Sequence, residues 1–315
     1  MNGKYYVGID LGGTFVKGGI VDGEGNILYS AKVPTEREKG TERVIENISN
    51  LVLSVIEESG VDKKDVVGVG AGIPGSIDGK NGVAVYSNNL RFRKVPIASA
   101  ISEKTGLPVK IANDANVATL GEFKFGCGKK YNDVVMLTLG TGVGGGAVID
   151  GKLFEGNLSQ GTELGHMIIV DGGEKCTCGN LGCLEAYASA TALIRDTKRA
   201  MTAHKDSLMN EIPVDEVNGK TCFDYMDKDV YAKEVVDNYI EKLGVGLTNY
   251  ANIFRPQAII LGGGVSEQGD VLVKPLQKFV DEHIFAGKHG PRVEILPATL
   301  KNRAGILGAA ALIMK

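Results

Sequence analysis

The period of apolar positions changes several times along the chain, and each change predicts an element. Tyr5 to Asp10, Val16 to Val21 and Ile27 to Val33 are short runs rich in β-branched and aromatic residues. They predict three strands, with Asp22, Gly23, Gly25 and Asn26 in the turn between the second and third. From about Thr41 the period lengthens. Val44, Ile45, Ile48, Leu51, Val52, Val55 and Ile56 form one stripe at helical spacing, and Gly60 ends it. Val66 to Ala71 is a short buried strand that stops at Gly72-Ile73-Pro74-Gly75. A helix over Ile97 to Thr105, a strand over Val109 to Ala112 and a helix from near Ala115 follow. A mostly helical stretch runs from about Leu184 to Phe254, with Val235, Val236, Tyr239, Ile240, Leu243, Leu247 and Tyr250 at helical spacing. Ala258 to Leu261 and Val293 to Leu296 read as strands, and Ala304 to Met314 as a closing helix.

Shifting the chain by 128 positions aligns one part with another without a gap. Leu11, Gly12, Gly18, Asp22 and Gly23 meet Leu139, Gly140, Gly146, Asp150 and Gly151. Each copy is a strand, a glycine-rich turn and a returning strand, which points to an internal duplication. No linker divides the chain, so two similar lobes packed across a hinged cleft are expected.

The glycines suggest chemistry. Gly140, Gly142 and Gly145 fit the G-x-G-x-x-G spacing after an apolar strand. A dinucleotide fold would start a helix there. Here a returning strand follows, as it does after Gly18-Gly19, which excludes that reading. A glycine hairpin can still cradle phosphate, because backbone N–H groups turn inward where no Cβ intervenes. Gly12, Gly13 and Thr14 in the first copy, and Thr138, Gly140, Thr141 and Gly142 in the second, are candidates. Lys17 could add a point charge, and Asp10 could orient Mg²⁺ or its waters. Gly263 and Gly264, after Ile259-Ile260-Leu261, would let backbone approach an adenosine face at a helix start.

Asp114, in Ile111-Ala-Asn-Asp114, stands where a strand meets a helix. One reading is a helix N-cap. The other is a carboxylate kept ionised by the helix terminus and placed beside an attacking hydroxyl, with Asn113 adjacent to bond sugar hydroxyls.

Cys176, Cys178 and Cys183 crowd into eight residues, with His166 ten residues upstream. Three thiolates and one imidazole make a closed tetrahedral zinc site of structural type. Glu163, His166 and Glu185 flank it, and metal on one ring nitrogen of His166 would orient the other toward a sugar hydroxyl. Cys127 and Cys222 stand alone.

Composition removes some alternatives. The net charge is −3, with 23% charged residues. Neither a nucleic acid nor an anionic membrane is favoured as partner. The N-terminus lacks the apolar segment of a signal peptide, so a cytoplasmic protein is expected.

Asp10-Leu-Gly-Gly-Thr-x-x-Lys17, Leu139-Gly-Thr-Gly-Val-Gly-Gly-Gly146, Glu163-Leu-Gly-His166 and Cys176-x-Cys-Gly-x-x-Gly-Cys-x-Glu185 together resemble the ROK family of bacterial sugar kinases and repressors, in order and over nearly the whole chain. The resemblance is nearest to its glucokinases. It implies an α/β protein of the actin-like (sugar kinase/Hsp70) ATPase fold, with two duplicated RNase H-like lobes around a cleft. Residues 1–112, completed by the C-terminal helix at about 301–315, would form one lobe. Residues 113–300, with the zinc-binding loop, would form the other. It further implies Mg-ATP, a hexose phosphorylated at its 6-hydroxyl, structural zinc and a homodimer. Asp114 matches the family's catalytic base. Asn113, Asp114, Glu163, His166 and Glu185 match its sugar ligands, as does Asn89, and His166, Cys176, Cys178 and Cys183 match its zinc ligands. Two departures lie near the expected sugar site. Gly161-Thr162 stands where Ala-Gly is usual, and Arg91-Phe-Arg-Lys94 where a Gly-Trp-like pair is common. Glucose is the expected acceptor, with fructose, mannose, allose or an N-acetylated hexosamine as alternatives. A sugar-responsive repressor would need a DNA-binding helix-turn-helix, and no basic recognition helix is visible. A non-catalytic sugar-binding protein would not need Asp10, Lys17 and Asp114.

Overall fold

A computed structural model describes residues 3–314. Its contacts group into two compact units, one comprising the described part of Met1–Lys130, Gly146–Thr162 and Thr299–Lys315, the other Tyr131–Gly145 and Glu163–Ala298.

The first unit is built on strands β1 (Tyr5–Leu11), β2 (Phe15–Val21), β3 (Ile27–Pro34) and β4 (Val66–Ile73). A small antiparallel sheet of β5 (Ser76–Asp78), β6 (Val83–Ser87) and β7 (Phe92–Val95) precedes β8 (Val109–Asn113). The main sheet has the order β3-β2-β1-β4-β8. Its first three strands are antiparallel, and β4 and β8 run parallel to β1. Helix α1 (Thr41–Ser59) buries all seven residues of its predicted stripe, and Gly60 closes it at φ 72°. Helix α2 (Ile97–Thr105) and helix α3 (Asp114–Phe125) follow.

The second sheet repeats the first. Strands β9 (Val134–Leu139), β10 (Val143–Ile149), β11 (Lys152–Phe154), β12 (Ala258–Gly262) and β13 (Glu294–Pro297) take the order β11-β10-β9-β12-β13. Strand β12 is parallel to β9 and to β13, as β4 is to β1 and β8. Strand β2 begins at Phe15 and β10 at Val143, the same 128-residue offset. Helices α4 (Glu185–Ala188), α5 (Ala190–Ala203), α6 (Thr221–Tyr225), α7 (Val230–Phe254) and α8 (Asp270–His283) belong to the second unit, whereas β11 and the end of β10 group with the first.

The chain closes with helix α9 (Ala304–Ile313), which belongs to the first unit and packs on β1, β4 and α3. Close approach there depends on missing side chains. A Cβ on Gly70 would lie 1.7 Å from the carbonyl oxygen of Ala309, and one on Gly8 would lie 2.0 Å from that of Ile306. Because α3 packs on α9, it groups with the first unit, and the expected boundary at residues 112–113 falls inside that unit. Among the described residues no helix is long and apolar enough to cross a membrane.

Candidate active site

The first glycine turn joins β1 to β2. Asp10 ends β1 opposite Lys17, whose Nζ lies 3.5 Å from Asp10 Oδ2. The turn is shaped by two bonds. Gly12 N–H donates to Phe15 O at 3.0 Å, and Thr35 Oγ1 donates to Gly12 O at 2.7 Å. Among the described residues, the N–H groups of Gly13 and Thr14 donate to no other group, which leaves two adjacent donors for an anion. The first turn of α9 presses on this corner: a Cβ on Gly305 would lie 2.6 Å from Asp10 Cγ.

At the other end of the same sheet, β8 runs into α3. The N-cap is Asn113, not Asp114. Asn113 Oδ1 accepts from Ala115 N at 2.9 Å and Asn116 N at 3.3 Å, and its Nδ2 donates to Gly75 O at 3.0 Å. Relieved of the capping role, Asp114 occupies the first turn of α3. Asp114 Oδ1 accepts from its neighbour Ala115 N at 3.0 Å. Asn89 sits exposed between β6 and β7, and its carbonyl accepts from Arg37 Nη1 at 2.8 Å. Thr162, one of the two departures, takes φ 62° and donates through Oγ1 to the buried Asn116 Oδ1 at 3.1 Å.

In the second unit, the turn between β9 and β10 is tied down by Gly140 N–H donating to Gly142 O at 3.0 Å. Ala190 N–H donates to Gly140 O at 2.8 Å, and Thr191 Oγ1 donates to Thr141 O at 2.7 Å. Gly263 takes φ 84°, and a Cβ there would strike Leu139 O at 2.4 Å, so this position needs glycine. The run from Gly264 forms a 3-10 turn rather than the α-helix start expected, and α8 begins only at Asp270. Gly140, Thr141 and Gly264 line one cavity of about 460 Å³ with Ala190, Asn218 and Glu267. The sequence reading missed Asn218, Lys220 and Glu267. The Asn218-Gly219 pair was visible as a turn, but nothing local linked it to glycines so far away in the chain.

The cysteine loop folds onto the same turn. Glu185 Oε2 accepts from Val143 N at 3.0 Å, and its Oε1 accepts from Thr177 Oγ1 at 2.9 Å. Glu185 thus braces the glycine turn and the cysteine loop at once. Gly182, at φ 81°, packs so closely on Val170 that a Cβ would lie 1.7 Å from its carbonyl oxygen. Burial pushes the Glu163 carboxyl above the usual glutamate range. Neighbouring His166 opposes that rise and Glu185 adds to it.

His166, Cys176, Cys178 and Cys183 place one ligand atom each within 4.8 Å of one another. Cys176 Sγ lies 3.6 Å from His166 Nδ1, and Cys178 Sγ lies 3.7 Å from Cys183 Sγ. A tetrahedron with bonds of about 2.0–2.3 Å has edges of roughly 3.5–3.8 Å. The donor set and its spacing therefore fit a tetrahedral zinc ion. Nδ1 faces the cluster, which leaves Nε2 on the far side of the ring.

The first unit holds Asp10, Lys17, Asn89, Asn113 and Asp114, and the second holds Thr138, the glycine turns at 140–142 and 263–264, Glu163, Glu185 and the Cys/His cluster. The chain is similar along its length to proteins of known kind. A glucokinase of Halalkalibacterium halodurans is 35% identical over 322 residues, covering 99% of this chain and 96% of the relative. A glucokinase of Thermotoga maritima is 38% identical over 311 residues, covering 98% and 96%. A crystal structure of a ROK family glucokinase from Streptomyces griseus, in complex with glucose and AMPPNP, superposes with a TM-score of 0.82 at 36% identity, over 98% of both chains. The matched structure, the repeated sheet order and the ROK family model, which matches residues 6–315, agree from end to end: the chain belongs to the ROK family and has its actin-like ATPase fold.

Proposed function

We propose that this protein is an ATP-dependent glucokinase that transfers the γ-phosphoryl group to the 6-hydroxyl of glucose. The observation that carries this reading is the match, over 98% of both chains, to a glucokinase holding glucose and a non-hydrolysable ATP analogue. The site geometry supports it. Free N–H groups at Gly13 and Thr14 suit phosphate oxygens, and the cavity beside Gly140, Thr141 and Gly264 suits a nucleoside. Asp10, at the strand end and partly exposed, would orient magnesium or its waters on those phosphates.

Asp114 accepts the proton of the 6-hydroxyl as that oxygen attacks the γ-phosphorus in line. The new O–P bond forms as the bond to the β-phosphate bridging oxygen breaks, and ADP leaves. Such general-base help is worth about 10²–10⁴-fold. Asn89, Asn113, Glu163, His166 and Glu185 hold the sugar hydroxyls. His166, Cys176, Cys178 and Cys183 would hold a zinc ion of structural type, which would fix the loop and the His166 ring so that Nε2 can meet a hydroxyl.

The test is ADP release from Mg-ATP with glucose, fructose, mannose, allose and N-acetylated hexosamines. Preference for glucose is expected. Preference for another hexose would move the acceptor and keep the reaction, and no turnover with any sugar would overturn the kinase reading. Asp114→Asn should lower kcat by about 10²–10⁴-fold while glucose still binds. Near-normal turnover in that variant would remove Asp114 from the base role.

A further inference from the structure

Two cations reach the first glycine hairpin, and they are not equivalent. The charge of Lys17 is already matched, since its Nζ lies 3.5 Å from Asp10 Oδ2. Arg37 has no carboxylate partner among the described residues. Its one recorded bond runs from Nη1 to the neutral carbonyl of Asn89, at 2.8 Å. That same Nη1 lies 3.3 Å from where a Cβ on Gly13 would stand. The guanidinium therefore lies over the hairpin tip, beside the two N–H groups that donate to nothing.

Its placement is built from both sides. Thr35 clamps the preceding backbone to the hairpin, with its N–H donating to Thr14 O at 2.9 Å and its Oγ1 to Gly12 O at 2.7 Å. Glu36 then takes a left-handed conformation, φ 55°, which a non-glycine residue adopts only at a cost. Its carboxylate is occupied by Lys39, by Arg43 Nε at 2.6 Å and by Asn47 Nδ2 at 3.2 Å. Glu36 is thus withheld from Arg37, and the turn it makes aims Arg37 at the hairpin. A guanidinium carries five donors in a planar fork suited to phosphate oxygens. One is spent on Asn89, which leaves the rest of the fork at the tip.

We propose that Arg37 is a phosphate-binding residue that grips the terminal phosphoryl group of the donor nucleotide, while its bond to the Asn89 carbonyl holds the sugar-contacting turn in register with that phosphate. The proposal rests on the kinase reading above. Lys17, which the sequence offers as the hairpin's point charge, lies beside Asp10 in the structure.

The experiment compares wild type with Arg37→Met and Arg37→Lys. Binding of Mg-AMPPNP and, separately, of glucose is measured by calorimetry, and kcat and KM for both substrates by ADP release. Arg37→Met should weaken Mg-AMPPNP about 10- to 100-fold, the loss of one charge-assisted contact. Glucose binding without nucleotide should weaken less than nucleotide binding does, through loss of the Asn89 tether. Arg37→Lys, which keeps the charge without the fork, should recover part of the nucleotide affinity. Unchanged Mg-AMPPNP affinity in Arg37→Met, or a loss confined to glucose, would show a mere tether of the Asn89 turn and overturn the proposal. A wild-type protein that binds neither nucleotide nor hexose would sink the kinase reading and this one together. Wild-type turnover with an indifferent Arg37→Met sinks this one alone.

Discussion

Gly305→Ala separates the role of Asp10 from the stability of the helix that touches it. Gly305 lies in the first turn of α9, where a Cβ would stand 2.6 Å from Asp10 Cγ, 2.8 Å from its Oδ2 and 2.9 Å from its Cβ. Carbon atoms in contact rest at about 3.5–4.0 Å, so the Asp10 side chain must retreat by roughly 1 Å. It is short and its own Cβ is crowded, so a swing of the carboxyl alone does not relieve the overlap. In the helix, alanine is favoured over glycine by about 1 kcal/mol, while overpacking costs about 1–3 kcal/mol. The net destabilisation is therefore small, about 0–2 kcal/mol. The kinetic effect is larger, because a misplacement of about 1 Å in a positioned group costs on the order of 10²-fold, or about 2.7 kcal/mol of barrier. Thermal unfolding and steady-state ADP release, measured on the same preparation, should show a nearly wild-type midpoint with kcat reduced on the order of 10²-fold. Gly23→Ala, with nothing within 4 Å of the added carbon, is the control for handling and assay. A Gly305→Ala protein with kcat within about threefold of wild type would refute the claim that the Asp10 carboxyl must stand where it does.

Two further perturbations address the metal cluster and the helix dock. Cys176→Ser, or prolonged chelation, should lower the bound zinc measured by elemental analysis and raise KM for glucose about 10- to 100-fold, with KM for Mg-ATP little changed. Full zinc retention, or a normal glucose KM after zinc is lost, would detach the cluster from the sugar site. Gly70→Ala drives a carbon to 1.7 Å from the Ala309 carbonyl, backbone against backbone, and should lower stability by about 3 kcal/mol or more by denaturant unfolding. An unfolding midpoint equal to wild type would mean that α9 does not dock as described.

What could be read from the sequence was whatever announces itself locally. The duplicated sheets were legible because strand alternation and glycine turns recur at a fixed offset, and β2 and β10 do begin 128 residues apart. The stripe of α1 was legible for the same reason, and so was the Cys/His cluster, whose three thiols are nearly contiguous. The small sheet of β5 to β7 was not, since its strands are three to five residues long and interrupted by polar turns. Which of Asn113 and Asp114 caps α3 also escaped, because both suit the position and only the backbone decides.

The harder failures concern residues whose meaning lies in a distant partner. Glu185 reads in the sequence as an acid flanking the cysteine loop and, by resemblance, as a sugar ligand, and only the fold shows that its two oxygens also join Val143 to Thr177, tying the glycine turn to the cysteine loop. Arg37 reads as a surface residue in a run of mixed charges, and only the folded hairpin shows that the Glu36 carboxylate is taken by Lys39, Arg43 and Asn47. Thr162 is the instructive middle case. Its departure from the usual Ala-Gly was visible in the sequence, and the structure supplies the physics. The position takes φ 62°, which glycine adopts freely and a β-branched residue does not. The hydroxyl offsets part of that strain by hydrogen bonding, with Gly161 O at 2.7 Å and Asn116 Oδ1, on α3 two residues after Asp114, at 3.1 Å as its acceptors. The substitution thus exchanges a flexible joint for a hydrogen-bonded one on the helix that carries the proposed base. It would stiffen that joint while leaving the side chains proposed to hold the sugar unchanged, which is why a departure this close to the proposed site is compatible with glucose as the proposed acceptor.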